Sequence, residues 1–359
     1  MKKFLMVWVL VLCGGVFACS AEDARERTSL VREASYEDDE DNCGAEGYVC
    51  AAGRECIDYK CTPAWLEIED MGAPDERHSA AAGMLGGKFV VFGGCSTTSG
   101  DYPALSSSGV YDPAMDSWAS GPTLNDARCA HAAASTSWGI YTFGGLTSCE
   151  NGTALGPSLE GVFSSPDGWS VLSAPNTPPV RFNSAMVWTG NSLFLFGGAN
   201  AMGGTTTSAS LLQLGAPWLS APCTIGGCAR GGNYVVFEYD GLIYTFNGDS
   251  GLVYDPSEDA WDTASEPMSG PDYEYDLGPA SSQTDDGSRV YRMSHSGSIW
   301  IYDKALEEWA EDTASQPMGL CFRGAAAWVD SEYIIWSGNC GGLSSVGGRY
   351  QPPAPGVLP

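Results

Sequence analysis

Five arginines recur at one place in a repeating pattern along this 359-residue chain. Arg77, Arg128 and Arg181 each stand 16 positions before a glycine pair, Arg230 stands 17 before Asn247-Gly248, and Arg323 stands 14 before Ser337-Gly338. Only eight arginines lie between residues 64 and 352, so most of them hold this position. A guanidinium is a planar, permanently charged fork that grips carboxylate or phosphate through two parallel hydrogen bonds. Five forks around one opening would make a site for a carboxylate, a phosphate or an acidic peptide. One arginine per repeat equally suits ion pairs with Asp or Glu of the adjacent repeat, which would stitch the repeats together. The three histidines, His78, His131 and His295, fall in different repeats, and no grouping of residue types points to a metal centre or a catalytic constellation.

The elements that carry these arginines are short strands. In RHSAAAGMLGGKFVVFGG the small residues Ser79 to Gly83 suit a crowded inner strand and Lys88 to Phe92 an aliphatic and aromatic one. Gly93-Gly94 ends the second strand where two backbones must come close. Val110 and Tyr111 belong to a third strand, Asp112-Pro113 makes a turn, and Trp118 opens a fourth strand with a large apolar plate. The unit returns as GIYTFGG, SLFLFGG, LIYTFNG and YIIWSG. Tyr111 to Trp118, Tyr254 to Trp261 and Tyr302 to Trp309 share a spacing of seven, and Phe163 to Trp169 and Leu214 to Trp218 are shortened versions. The Tyr302 unit adds a repeat whose second strand, SRVYRMSHSG, is degenerate. A period near 50 residues marks a propeller or a similar array. The segment that Trp65 opens reads as a fourth strand with no predecessors, and Arg349-Tyr350-Gln351-Pro352 as a third strand with no successor. Joined, they complete a sixth blade and close the ring, which removes the exposed edge of an open array.

This pattern resembles the kelch repeat, in which an Arg near the inner strand, a strand ending in Gly-Gly, a Tyr-Asp-Pro turn and a following Trp mark one blade. The resemblance covers about four fifths of the chain and is weakest in the fifth blade. It implies the propeller fold, and arginines at matching places in cytoplasmic kelch adaptors bind acidic peptides. The family's usual His, three places after the Arg, survives here as His131; Ala80, Ser184, Asn233 and Ala326 stand in its place elsewhere. Two enzymes share the architecture. Galactose oxidase needs a tyrosine, two histidines and a thioether-linked tyrosine around copper, a set that is not grouped here. A periplasmic sialic-acid mutarotase is a six-bladed kelch propeller, and Arg128 with His131 could hold an acidic sugar and move a proton, although no further catalytic residue aligns.

Composition fits a β-rich chain with many tight turns: 46 Gly, 12 Trp and 16 Tyr. A formal charge of −27 argues against nucleic acid, whose phosphates would repel this surface. Residues 1–18 read as an export signal, with Lys2-Lys3, the apolar run Phe4 to Leu12, and Val16-Phe17-Ala18 leading to Cys19. That place resembles the bacterial lipobox, in which the cysteine receives lipid and becomes the mature N-terminus; Phe17 is bulkier than the pattern's usual residue. Residues 19–42, with the acidic run Glu37-Asp38-Asp39-Glu40-Asp41, read as a disordered tether.

Cysteines support the same compartment. Cys43, Cys50, Cys56 and Cys61 define a small module at 43–61 that is expected to hold two disulfides, with three connectivities open. Their spacing lacks the CxxC clamp of structural zinc sites. Seven more lie in the propeller. Cys223 and Cys228 could pair across a Gly-Gly turn, and Cys321 with Cys340, and Cys129 with Cys149, hold matching places in their blades. Cys95 is then left over, and Cys95 with Cys149 is the alternative.

The reading is an all-β, six-bladed kelch-type β-propeller at 64–352 whose N-terminal strand closes the last blade, preceded by a disulfide-rich module and followed by a Pro-rich tail at 353–359. The expected function is binding of an anionic ligand, a peptide or a glycan, at the channel mouth through Arg77, Arg128, Arg181, Arg230 and Arg323. The protein is expected to be exported and tethered by lipid to a bacterial outer membrane, facing the periplasm or the cell surface, without cofactor, metal or nucleic acid. A sugar-acid mutarotase is the alternative. Mass spectrometry of the mature N-terminus checks the anchor: Cys19 is expected to carry lipid, and Cys19→Ala to release the protein in soluble form, whereas an unmodified terminus at Ser20 or later contradicts it.

Overall fold

The short, β-branched and aromatic runs of the sequence form 26 strands arranged as six four-stranded antiparallel sheets and one two-stranded sheet, with no helix among the described residues. The computed structural model describes residues 38–39, 41–96, 102–149, 153–154, 156, 158–163, 168–200, 202–206, 208–223, 225, 235–246, 251–264, 283–294, 298–314, 316–317, 320, 324–339 and 343–354. The expected export signal with Cys19, most of the expected tether and the end of the tail lie outside that set, as do Arg230, Arg323, Cys228, Cys321 and Cys340.

Each four-stranded sheet is one blade of a six-bladed β-propeller. Blade one is Ala81–Leu85, Lys88–Phe92, Ser108–Asp112 and Ser117–Ser120, paired in that order. Blades two to five start on Ala132–Ser135, Ala185–Trp188, Val235–Tyr239 and Gln283–Asp285 and repeat the order outward. Blade six holds Ala325–Val329, Glu332–Asn339 and Leu343–Tyr350, and its outermost strand is Trp65–Glu67 from the other end of the chain. The closing pairs are Gly348 with Glu67, Arg349 with Leu66, and Tyr350 with Trp65, as the two half-blades of the sequence require.

The Tyr-Asp-Pro turns work as their chemistry demands. Asp112 Oδ1 accepts the Ala114 N–H at 3.1 Å, and Asp255 Oδ1 accepts that of Ser257 at 2.7 Å. Tyr111 and Tyr254 donate their hydroxyls to Asp116 and Asp259, five residues on, and both acids hold the left-handed backbone that closes the turn (φ 44° and 49°). The recurring tryptophan seals blade to blade. Trp169 lies 4.6 Å from Phe92 of blade one, Trp218 5.7 Å from Phe143 of blade two, and Trp261 5.5 Å from Phe196 of blade three, ring centre to ring centre. Trp118 of blade one reaches Trp336 of blade six at 4.7 Å, so the seam where the chain ends meet is packed like the others.

The cysteine module, set apart in the sequence, is docked on that seam. Its bridges are Cys43–Cys56 and Cys50–Cys61, and Glu55–Ile57 pairs with Lys60–Thr62. Tyr48 donates its hydroxyl to the Pro352 carbonyl, and Gln351 exchanges hydrogen bonds with the backbone of Ala51 and Val49. Arg54 is buried and donates to the carbonyls of Pro63 and Arg349 and to Glu332, whose other carboxylate oxygen takes the fork of Arg349 at 2.6 and 2.9 Å. Arg349 also donates to the Pro113 carbonyl of blade one. One carboxylate therefore joins the module, the last blade and, through Arg349, the first.

One bridge differs from the first expectation. Cys149 pairs with Cys95, and Cys129 is a buried free thiol 2.8 Å from the Cys149 sulfur, pushed up to about 12 by burial. The loops that leave neighbouring glycine pairs lie side by side here: Cys149 donates its N–H to Tyr102, and Pro103 bridges to Ser148. The disulfide thus ties blade one to blade two and leaves no free valence for Cys129. Cys223 is disulfide-bonded, while the Cys321 and Cys340 pairing lies outside the described residues.

Replacing Glu332 by alanine leaves Arg54 and Arg349 buried without their carboxylate, and this is expected to cost about 3 to 5 kcal/mol of stability. Urea unfolding of wild type and Glu332→Ala checks it; equal midpoints would show that the clamp does not hold the seam.

Candidate ligand site in the central channel

The expected arginine ring is placed by the glycine pairs. Arg77, Arg128 and Arg181 are buried, each with its fork against the end of the second strand and the start of the third strand in its own blade. Arg77 donates to the carbonyls of Gly93 and Ser107 at 2.9 Å and to Ser107 Oγ. Arg181 repeats this with Gly197 and Ser208, and Arg128 with Gly144, Ser158 Oγ and the buried carboxylate of Glu160. Glu160 also accepts the backbone and side-chain N–H groups of Asn125 at 3.0 Å. Burial pulls Arg77 and Arg181 down to about 10, so both keep their proton at neutral pH. An anion could reach these forks only by displacing the carbonyls that they hold. Stitching is what they do, within blades and mainly to main-chain oxygen, where the sequence pointed to carboxylates of adjacent blades.

A different set of side chains faces the channel. Side chains on a strand alternate, so every second residue of each inner strand shares one face. The residues paired with Phe89, Ile140, Leu193, Ile243, Val290 and Tyr333 of the second strands are Met84, Ser135, Trp188, Glu238, Asp285 and Trp328. All six are half-buried and line one cavity of about 360 Å³ at the end of the channel where the inner strands turn outward. Two residues back along each strand comes a middle ring of Ala82, Ala133, Met186, Val236, Gln283 and Ala326. Two further back, His131 and Ser184 face a smaller cavity of about 80 Å³ that shares the middle ring.

Trp188 and Trp328 belong to blades three and six, which face each other across a six-bladed ring. Each is braced by a neighbour. Trp138 of blade two, 56% exposed, meets Trp188 edge-on at 5.4 Å, and Tyr291 of blade five stacks on Trp328 at 5.0 Å and 11°. Ring positions fixed by the scaffold lower the ordering cost of binding. Between the two tryptophans lie Glu238 and Asp285. Lys304 is buried beside them, and its ammonium donates to Asp285 Oδ2 at 2.6 Å and to the carbonyls of Glu238 at 2.8 Å and Gly287 at 3.2 Å, which engages all three of its protons. Burial holds Asp285's carboxyl above its ordinary range, although Lys304 pulls the other way. The mouth therefore offers two aromatic faces and acceptor oxygens, with its one described cation saturated.

His131 lines the inner cavity and is neutral. Burial, and then the charge of Arg128, hold it well below the ordinary histidine range. Among the described residues its two ring nitrogens find no hydrogen-bond partner, and neither do Ser184 Oγ and Gln283 Oε1. Arg128 and His131 thus do not converge as a sugar-acid clamp, because the guanidinium faces Gly144 and Glu160 while the imidazole faces the channel. The signal for the channel ring was present in the sequence. Counting back from each hairpin in AAGML, AAAS, AMVW, VVFEY, QTD and AAAWV yields its members. No protein-family model matches the chain, and no curated protein matches its sequence.

Replacing Arg128 and Arg181 together by alanine is expected to lower stability by several kcal/mol, about 1 to 3 for each buried acceptor left unpaired. Thermal melts check it. A double variant that melts like wild type would mean that the forks are dispensable to the blades and free for another task.

Proposed function

We propose that this protein is an exported, lipid-tethered, kelch-type propeller that binds carbohydrate at the mouth of its central channel, between Trp188 and Trp328. The observation that carries the reading is the ring of equivalent positions itself, in which two opposed indoles and two carboxylates surround one cavity. A sugar ring is apolar on its C–H faces and studded with hydroxyls at its edge. Indole faces suit the first, and the oxygens of Glu238, Asp285 and Ser135 accept from the second. Charge then decides between ligand classes. With a net charge of −27 and Lys304 already saturated, the mouth repels an anion, so the ligand is moved from the acidic class that the arginines suggested to uncharged glycans. The oxidised pairs Cys43–Cys56, Cys50–Cys61 and Cys95–Cys149 support an oxidising compartment outside the cytoplasm. The export signal and Cys19 support anchoring to a bacterial envelope, with the module at residues 43–61 fixing the propeller to its tether.

A glycan array probed with the full-length protein tests the reading. Neutral glycans are expected to bind, and Trp188→Ala or Trp328→Ala is expected to weaken them about tenfold or more while the melting temperature stays within a few degrees. Binding confined to acidic peptides, or glycan binding indifferent to both substitutions, would contradict it.

A further inference from the structure

Below the mouth, the channel holds polar groups that the propeller itself does not satisfy. His131 and Ser184 are more than nine-tenths buried, and the ring nitrogens of the first and the hydroxyl oxygen of the second have no partner. Gln283 contributes an unpartnered Oε1, because its Nε2 is held by the Val236 carbonyl at 2.6 Å and its amide cannot turn without losing that bond. These atoms come from blades two, three and five and line the same cavity of about 80 Å³. Buried polar groups left without partners are costly, so three in one cavity call for something to fill it.

We propose that this inner cavity is a subsite for an uncharged, hydroxyl-bearing arm, a hydroxymethyl or a vicinal diol, that descends from a sugar held at the mouth; the proposal rests on the carbohydrate reading of the mouth. The class follows from the donors and acceptors. A neutral imidazole offers one donor and one acceptor, Ser184 offers both, and Gln283 offers an acceptor. An alcohol is donor and acceptor at once and matches all three. A carboxylate would face Gln283 Oε1 with no proton to give it, and among the described residues no cation lines the cavity to offset its charge. An ammonium would meet the field of Arg128, which already weighs against a proton on His131. Arg128 forms a buried ion pair with Glu160 behind the wall. Access is from the mouth, since the two cavities share the middle ring and half of its members, Ala82, Ala133 and Ala326, have short side chains.

The remaining occupant is water, which also fits polar cavities of this size. Titration calorimetry and saturation-transfer NMR on the full-length protein separate the two, with glycerol as the probe of the inner site and a neutral hexose, D-glucose, as the probe of both. Glycerol is expected to bind wild type, to bind Trp188→Ala equally, and to bind Ser184→Ala about two- to tenfold more weakly, the worth of one hydrogen bond. His131→Phe, which replaces both ring nitrogens by C–H and narrows the cavity, is expected to weaken glycerol at least as much as Ser184→Ala does. Ser184→Ala removes a hydroxyl without a partner, so its melting temperature is expected to equal or exceed that of wild type, and this keeps loss of binding distinct from loss of fold. Glucose weakened by Trp188→Ala but indifferent to Ser184→Ala overturns the inner subsite and leaves the mouth standing. Glycerol bound and Ser184-dependent, with glucose indifferent to Trp188→Ala, sustains the subsite and overturns the mouth. No saturable glycerol binding, or glycerate bound as well as glycerol, overturns the proposal.

Discussion

Neighbouring blades of this propeller meet through backbone contacts that only glycine permits. The N–H of Gly94 donates to the carbonyl of Arg128 in the next blade at 2.8 Å, and Gly145 repeats the bond to Arg181 at 3.0 Å. A Cβ on Gly144 would sit 2.2 Å from the Arg181 carbonyl oxygen, and one on Gly93 would sit 2.6 Å from both the Arg128 oxygen and the His131 ring. The pairs also hold a left-handed backbone, with φ of 63° and 93° at Gly93-Gly94 and 68° and 104° at Gly144-Gly145. In blades one to three the arginine then locks the glycine carbonyl of its own blade from inside. Two residues after the arginine, Ala130 donates to Ser79 and Asn183 to Ala130, a second backbone link from blade to blade. Arginine and glycine are thus two halves of one device, and the separation of 16 residues that blades one to three share is the length of chain needed to bring them together.

Because that device sets the distance between inner strands, it also sets the channel. Small residues at Ala82, Ala133 and Ala326 let the strands approach, and larger ones at Trp188 and Trp328 are accommodated only where the hairpins splay outward. The ring must close for the channel to exist at all. Three residue pairs between Trp65–Glu67 and the last strand do this, and the Arg54, Glu332 and Arg349 cluster reinforces them from the cysteine module. A buried carboxylate shared by two arginines is a weak contributor to net stability but a strong penalty on any arrangement that separates them. It suits a seam that must form in one register.

Much of this was legible in the sequence because it depends on residue types that few other situations require. Gly-Gly after an aromatic strand, Tyr and Trp seven apart, and two half-blades at the chain ends gave the blade, the count and the closure. The arginines were legible as a repeat but not as to role, since a fork that binds an anion and a fork that binds carbonyls look alike until burial is known. Cys149 was ambiguous for a similar reason: Cys95 and Cys129 both lie near it, and only the packing of the blade-one and blade-two loops selects Cys95. The channel ring was harder to see because its members share a position and not a chemistry. Met84, Ser135, Trp188, Glu238, Asp285 and Trp328 have nothing in common but their register.

That contrast separates scaffold from site. Positions repeated in type hold the blades together, and positions repeated only in place are free to differ and so to recognise a ligand. The most direct test reads the tryptophans one by one. Fluorotryptophan-labelled protein, titrated with the neutral glycan that binds best and followed by fluorine NMR, is predicted to show shifts in the resonances of Trp188 and Trp328, assigned by substitution. Trp118, Trp169, Trp218 and Trp261, packed between blades, are predicted to stay in place. Shifts confined to those buried tryptophans, or none at the two channel residues, would contradict the account.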